Sequence, residues 1–170
     1  RWRVRLGIPT QAAPAPGFDA AHAAEETTAR WQELLGQVEL QLPEQGRDFA
    51  ATVRTALAHM LVSRVGPSLQ PGTRSYSRSW IRDGAMISEG LLRLGRPEVV
   101  RQYLEWYAPY QFENGKVPCC VDARGSDPVP ENDSHGELIF NIAEYWRFTG
   151  DREFLQRMWP HVRGAFEYME

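Results

Sequence analysis

The chain has 170 residues, 42% of them apolar and 24% charged, with a net charge of −3. That is enough chain and enough apolar material for one globular domain with a core, which excludes a disordered or fibrous class. The near-neutral balance argues against nucleic acid or an anionic membrane as partner, and no apolar run approaches the ~20 residues of a membrane span. Lys116 is the one lysine in a chain otherwise charged by arginine, the mark of a GC-rich genome. No signal-peptide pattern is present, and a chain opening on Arg1 is expected to be a piece of something longer. The compartment stays open, with the cytoplasm slightly favoured.

Residues 1–6 alternate strictly and precede Pro9, a strand pattern that reads as the tail of a preceding β domain over residues 1–9. Residues 10–17 are Pro-, Ala- and Gly-rich and read as a linker. A helix is expected over 18–35, with Asp19 as cap and Gly36 as stop. A break at 43–46 leads to a helix over 47–65, where Phe49, Val53, Leu57, Met60 and Leu61 form an amphipathic stripe. Residues 66–82 are a long connection, of the kind that tends to carry function.

The next helix is expected from about 84 to 94, with Ile87, Leu91 and Leu94 inward and Gly95 as stop. Pro97 then opens a helix running to about 108, with Val100, Tyr103, Leu104 and Tyr107 on its apolar face. Residues 109–134 form the longest irregular stretch. Tyr110, Phe112, Val117 and Val121 argue that it is ordered, and therefore a working surface. Asp133 or Ser134 caps a helix over 135–148 with Leu138, Ile142 and Tyr145 on one face. Asp151 caps a short helix to Met158, and Pro160 restarts another to the end. After the first strand nothing reads as β. The fold class is all-α, built of antiparallel helix pairs with long loops at one end.

Cys119 and Cys120 are adjacent, which makes a strained disulfide, and no His or Cys spacing beside them suggests zinc. They read as two reduced thiols lining a loop. No metal site and no nucleotide-binding glycine loop is visible, so no cofactor is expected.

The stretch around Trp80, Arg82 and Asp83 concentrates a ring, a guanidinium and a carboxylate just before a helical pattern. A flat apolar face beside charged donors and acceptors suits a sugar, whose C–H face stacks and whose hydroxyls hydrogen-bond. A plain helix N-terminus, with Asp83 complementing the dipole, explains the same residues and is the reading that composition alone favours.

The order of Ser79-Trp-Ile-Arg-Asp-Gly-Ala-Met86, Leu91-Leu-Arg-Leu-Gly95, Glu131-Asn-Asp-Ser-His-Gly-Glu137, Thr149-Gly-Asp151 and Trp159-Pro-His-Val162 resembles the six-hairpin glycosidases, (α/α)6 barrels. The likeness is closest to the glucoamylase and bacterial trehalase-like branch and covers roughly residues 20–170. It tips the Trp80–Asp83 stretch toward the sugar reading. It implies the N-terminal part of an (α/α)6 toroid, with residues 18–170 a partial catalytic domain.

The resemblance implies that Arg82 and Asp83 grip a non-reducing-end sugar. Trp80 is the motif aromatic, either a wall of the site or packing behind it. Asp133 and Glu137 lie four apart at a helix start, where both can face one end of a barrel. Asp133 can equally be a cap, and Glu137 can orient a neighbour or satisfy the first-turn amides. His135, between them, reads as a loop-lining residue.

Twelve helices need at least ~200 residues, so the general acid and base are expected after Glu170, and the remainder of the chain completes the barrel. The implied function is a glycoside hydrolase acting on glucosidic bonds, inverting, with a carbohydrate substrate. The alternatives are a phosphorylase, lyase or epimerase on the same toroid, or a non-catalytic carbohydrate-binding domain. The loop over 115–130 departs from the branch and leaves the sugar and linkage open.

Overall fold

The computed structural model describes residue 17 and residues 19–170. The expected strand at 1–6 and the linker up to residue 16 lie outside the described residues. Two compact units divide between Gly36 and Gln37. The first contains helix α1 (Ala20–Leu35). The Asp19 carboxylate accepts from the amides of Ala21 (2.9 Å) and His22 (3.3 Å), and Gly36 closes the helix, as the sequence predicts.

The second unit runs α2 (Arg47–Val62), β1 (Ser79–Trp80), α3 (Ile81–Arg93), α4 (Pro97–Tyr107), β2 (Cys120–Asp122), β3 (Gly125–Ser126), α5 (Ser134–Thr149) and α6 (Arg152–Met169). A 3₁₀ turn at Glu44–Gly46 leads into α2. The protein is mostly helical, as expected. Helix α5 packs against α6 and α3, α4 lies against both α3 and α5, and α2 rests on α3.

The predicted faces of α4 and α5 are buried: Val100, Tyr103, Leu104, Tyr107, Leu138, Ile142 and Tyr145 are all at most 4% exposed. Phe49 departs from its predicted role and is 65% exposed. Helix α2 buries only Leu57; it packs mainly on α3, and Phe49 lies in its first turn.

Three features correct the expectations. A small antiparallel sheet in the order β1-β2-β3 pairs Trp80 with Cys120 and Asp122 with Gly125. Its strands of two and three residues are too short for alternation to show. Helix α3 starts at Ile81 rather than near 84, so Arg82 and Asp83 lie in its first turn. Helix α6 runs unbroken through Pro160. The amide that proline lacks leaves the Gln156 carbonyl without its helical partner, and both residues are exposed, so water satisfies it.

Gly84 sets the depth of α3. A Cβ there would lie 2.0 Å from the Tyr103 hydroxyl oxygen and 2.4 Å from the ring carbon that bears it. Tyr103 is fully buried in α4 and has no room to retreat. Gly84→Ala is therefore expected to destabilise the fold by at least about 1–3 kcal/mol through overpacking, read as a lower urea midpoint. An unchanged midpoint would show that the helices separate freely.

Candidate functional site

The sequence-predicted residues fall at one end of α3 and α5. Arg82, on the first turn of α3, reaches Asp133 (2.7 Å) and Glu131 (3.0 Å) through Nη1. These partners end the loop that leads into α5. Hydrogen bonds donated to Asp133 first, then to Glu131, hold the guanidinium well above its ordinary pKa, so it is a permanent cation here.

Asp83 does not pair with Arg82. Adjacent helical positions point about 100° apart. Asp83 is half-buried near Tyr103, whose phenol is pushed up in pKa mainly by burial and slightly by the Asp83 charge. Trp80 is half-buried, with the Arg78 guanidinium carbon 5.6 Å from its ring centroid.

Asp133 occupies the N-cap position of α5, yet its carboxylate caps no amide and bonds Arg82 instead. One turn on, Glu137 faces the same side, with its backbone amide bonded to the Asp133 carbonyl (3.0 Å). Asp133 and Glu137 line a groove of about 410 Å³ with Met86 and Glu89 from α3 and Gly136 and Phe140 from α5. Burial raises the Glu137 pKa, the Asp133 charge adds to the rise, and Arg82 opposes it. The groove thus offers apolar walls, three carboxyls and a tethered guanidinium at its rim. Neutral polyols fit such a lining, which both stacks and hydrogen-bonds.

The stretch 109–134 is ordered, as expected, and is fastened from several sides. Arg78 donates to Asp122 (3.0 Å) and Asp127 (2.5 Å), Ser126 to the Tyr110 carbonyl (2.8 Å), and Gln111 to the His161 carbonyl (3.1 Å). Lys116 bonds the Pro128 carbonyl. His135 is buried and stacks on Tyr168 with ring centroids 4.7 Å apart, so it packs rather than faces the groove. A second hollow of about 390 Å³ lies between residues 111–115 and α6.

Sequence reasoning passed over Glu131, Met86 and Phe140. Glu131 lay inside the quoted motif, and Met86 follows Arg82 by four residues, so both carried a signal. Among the described residues, one group of metal-ligating type converges, Cys119, Cys120 and Asp127, on the sheet rather than in the groove. No described helix is long and apolar enough to cross a membrane.

Residues 44–169 match the model of a family described as amylo-alpha-1,6-glucosidase. The chain is similar to an uncharacterized glycosyl hydrolase of Methanocaldococcus jannaschii, 24% identical over 151 residues that cover 82% of this chain and 24% of the relative. The chain therefore spans about a quarter of that relative's length. No solved structure matches the chain.

Arg78 gives the loop a pH signature. The Arg78 hydrogen bond, then the Val129 amide, hold the Asp127 carboxyl below its ordinary value. Its stabilising contribution is present above the unfolded carboxylate pKa of about 3.9 and is lost as pH falls through the depressed folded value. Arg78→Ala is expected to cost about 1–2 kcal/mol at pH 7, discounted for partial exposure, with the deficit shrinking in strong acid. Urea melts of both proteins from pH 7 to pH 3 test this, and a deficit independent of pH would refute it.

Proposed function

Because the chain belongs to the amylo-alpha-1,6-glucosidase family, we propose that it is the first part of the catalytic domain of a glycoside hydrolase acting on α-glucosidic bonds. The α-1,6 bond at a glucan branch is the first candidate. The single observation that carries the reading is the Arg82–Asp133–Glu131 cluster at the rim of the groove that contains Glu137. A guanidinium whose rotamer is already fixed donates to sugar hydroxyls with little further ordering cost.

In this reading Arg82 and Asp83 bind the hydroxyls of the terminal sugar, and Asp133 and Glu137 bind from α5. Burial raises the Glu137 pKa, and its carboxylate accepts hydrogen bonds from sugar hydroxyls. Trp80 has Arg78 on its ring and offers the remaining face to a sugar. The helical hairpins are the start of an (α/α)6 toroid like that of the glucoamylase and trehalase-like branch, completed by further chain. The general acid and base lie beyond Glu170, and inversion needs them about 6.5–9.5 Å apart to admit a water.

The test uses the full-length protein with a branched α-1,6-containing glucan, a linear α-1,4 glucan and α,α-trehalose, each with and without phosphate. Hydrolysis releases free glucose irrespective of phosphate. A sugar phosphate product would replace the reading with phosphorolysis, and an unsaturated product with a lyase. Arg82→Ala and Asp83→Ala are expected to lower kcat/KM about 100-fold or more, the loss of charge-assisted hydrogen bonds worth roughly 3 kcal/mol. Near-normal turnover in Asp83→Ala would remove that residue from the site.

A further inference from the structure

We propose that Cys119, Cys120 and Asp127 form a binding site for a thiophilic divalent cation of the zinc type, independent of the sugar-binding reading. The two sulfurs lie 3.5 Å apart, Cys120 Sγ is 3.8 Å from Asp127 Oδ2, and all three ligand atoms fall within 4.8 Å of one another. Zinc–sulfur bonds near 2.3 Å and zinc–oxygen bonds near 2.0–2.2 Å set tetrahedral ligand atoms roughly 3.5–3.8 Å apart. Two of the three spacings already match it, and the third lies within 4.8 Å. Adjacent residues in an extended strand point to opposite faces. Here Cys120 opens β2 while Cys119 precedes it, and the bend between them turns both sulfurs the same way.

The surroundings fit a held ion. Asp127 Oδ2 accepts from Arg78 and Oδ1 from the Val129 amide (3.0 Å), so the carboxylate is oriented by groups outside the ligand set. Arg78 and Asp127 cancel in charge, and two thiolates cancel a divalent cation, so loading the site leaves the corner neutral. The other titratable groups packed there are Asp122, whose charge Arg124 cancels, and the Tyr107 phenol, which donates to the Pro118 carbonyl. A thiol ligates as the thiolate, so loading an ion displaces thiol protons to solvent. Two sulfurs and one carboxylate select zinc over magnesium or calcium, which prefer all-oxygen shells. The fourth position is left to a water or another donor.

The corner touches the groove through the backbone. Ile81 N–H donates to the Cys119 carbonyl (3.0 Å), and Arg82 follows directly. An ion there therefore braces the first turn of α3.

The experiment is equilibrium dialysis of the reduced full-length protein against zinc, with magnesium as control, and cobalt(II) as the spectroscopic probe. One zinc per chain is expected, with proton release to solvent and a thiolate-to-cobalt charge-transfer band. Cys119→Ser and Cys120→Ser, which keep shape, should each weaken zinc binding about 100-fold or more and abolish the band. Asp127→Asn should weaken binding about tenfold while keeping the band, and circular dichroism checks that each variant is folded. Zinc bound equally well by the Cys119→Ser/Cys120→Ser double variant, or no zinc bound by the reduced wild type, would overturn the proposal.

Discussion

The close approach of Gly84 to Tyr103 fixes the helix that organises the rest. With no side chain at 84, α3 lies directly on the buried Tyr103 ring of α4. That contact determines which face of α3 is inward. Ile81, Gly84, Ala85, Ser88, Leu91 and Leu92 are buried, the i, i+3, i+4, i+7 stripe of a core-facing helix. The opposite face then carries Arg82, Met86 and Glu89. These are the α3 side chains that meet the loop carboxylates or line the groove. The glycine in the Trp-Ile-Arg-Asp-Gly motif therefore has a packing duty that places the arginine, and the motif reads as one mechanical unit.

A second constraint holds that unit at its start. Ser79 is buried and donates to the Leu69 carbonyl (2.7 Å), Trp80 pairs with Cys120, and Ile81 donates to the Cys119 carbonyl. Strand β1 lasts two residues before α3 begins, so little backbone slack separates the sheet from Arg82. Arg78 draws the far side of the hairpin in through Asp122 and Asp127. The long loop is thus anchored where it begins, in its middle and at Glu131–Asp133, which explains how 26 residues with little regular structure can present an ordered surface.

Much of this was legible from pattern. The faces of α4 and α5, the Asp19 and Asp151 caps and Pro97 at a helix start follow from short-range rules, and Asp151 accepts from the Phe154 amide as predicted. What sequence reading missed depends on contacts between distant residues. Arg82 meets residues 49 and 51 positions away, and nothing local announces that choice over Asp83. The sheet strands are too short for periodicity. Pro160 normally signals a break, but an exposed position lets water replace the lost bond. Asp133 was read as a cap or a site residue. The structure shows that its carboxylate does not cap the helix and bonds Arg82 instead.

Two carboxyls near the site shift in opposite directions, and the contrast separates scaffold from groove. Asp127 is stabilised as an anion, so it strengthens the fold at neutral pH and loses that contribution on acidification. Glu137 is raised mainly by burial. Its favourable contribution is full below the ordinary carboxylate range and declines as pH rises through the raised value. At neutral pH it therefore costs stability, because ionising it requires a charge in a partly dry groove beside Asp133. A core position under selection for stability alone would hold a neutral glutamine or an apolar residue at no such cost. An acid kept where it is uncomfortable, next to a fixed guanidinium and an apolar wall, is better matched to a ligand that supplies the missing hydrogen bonds than to folding. That imbalance supports the proposed sugar-binding role of this end of α3 and α5.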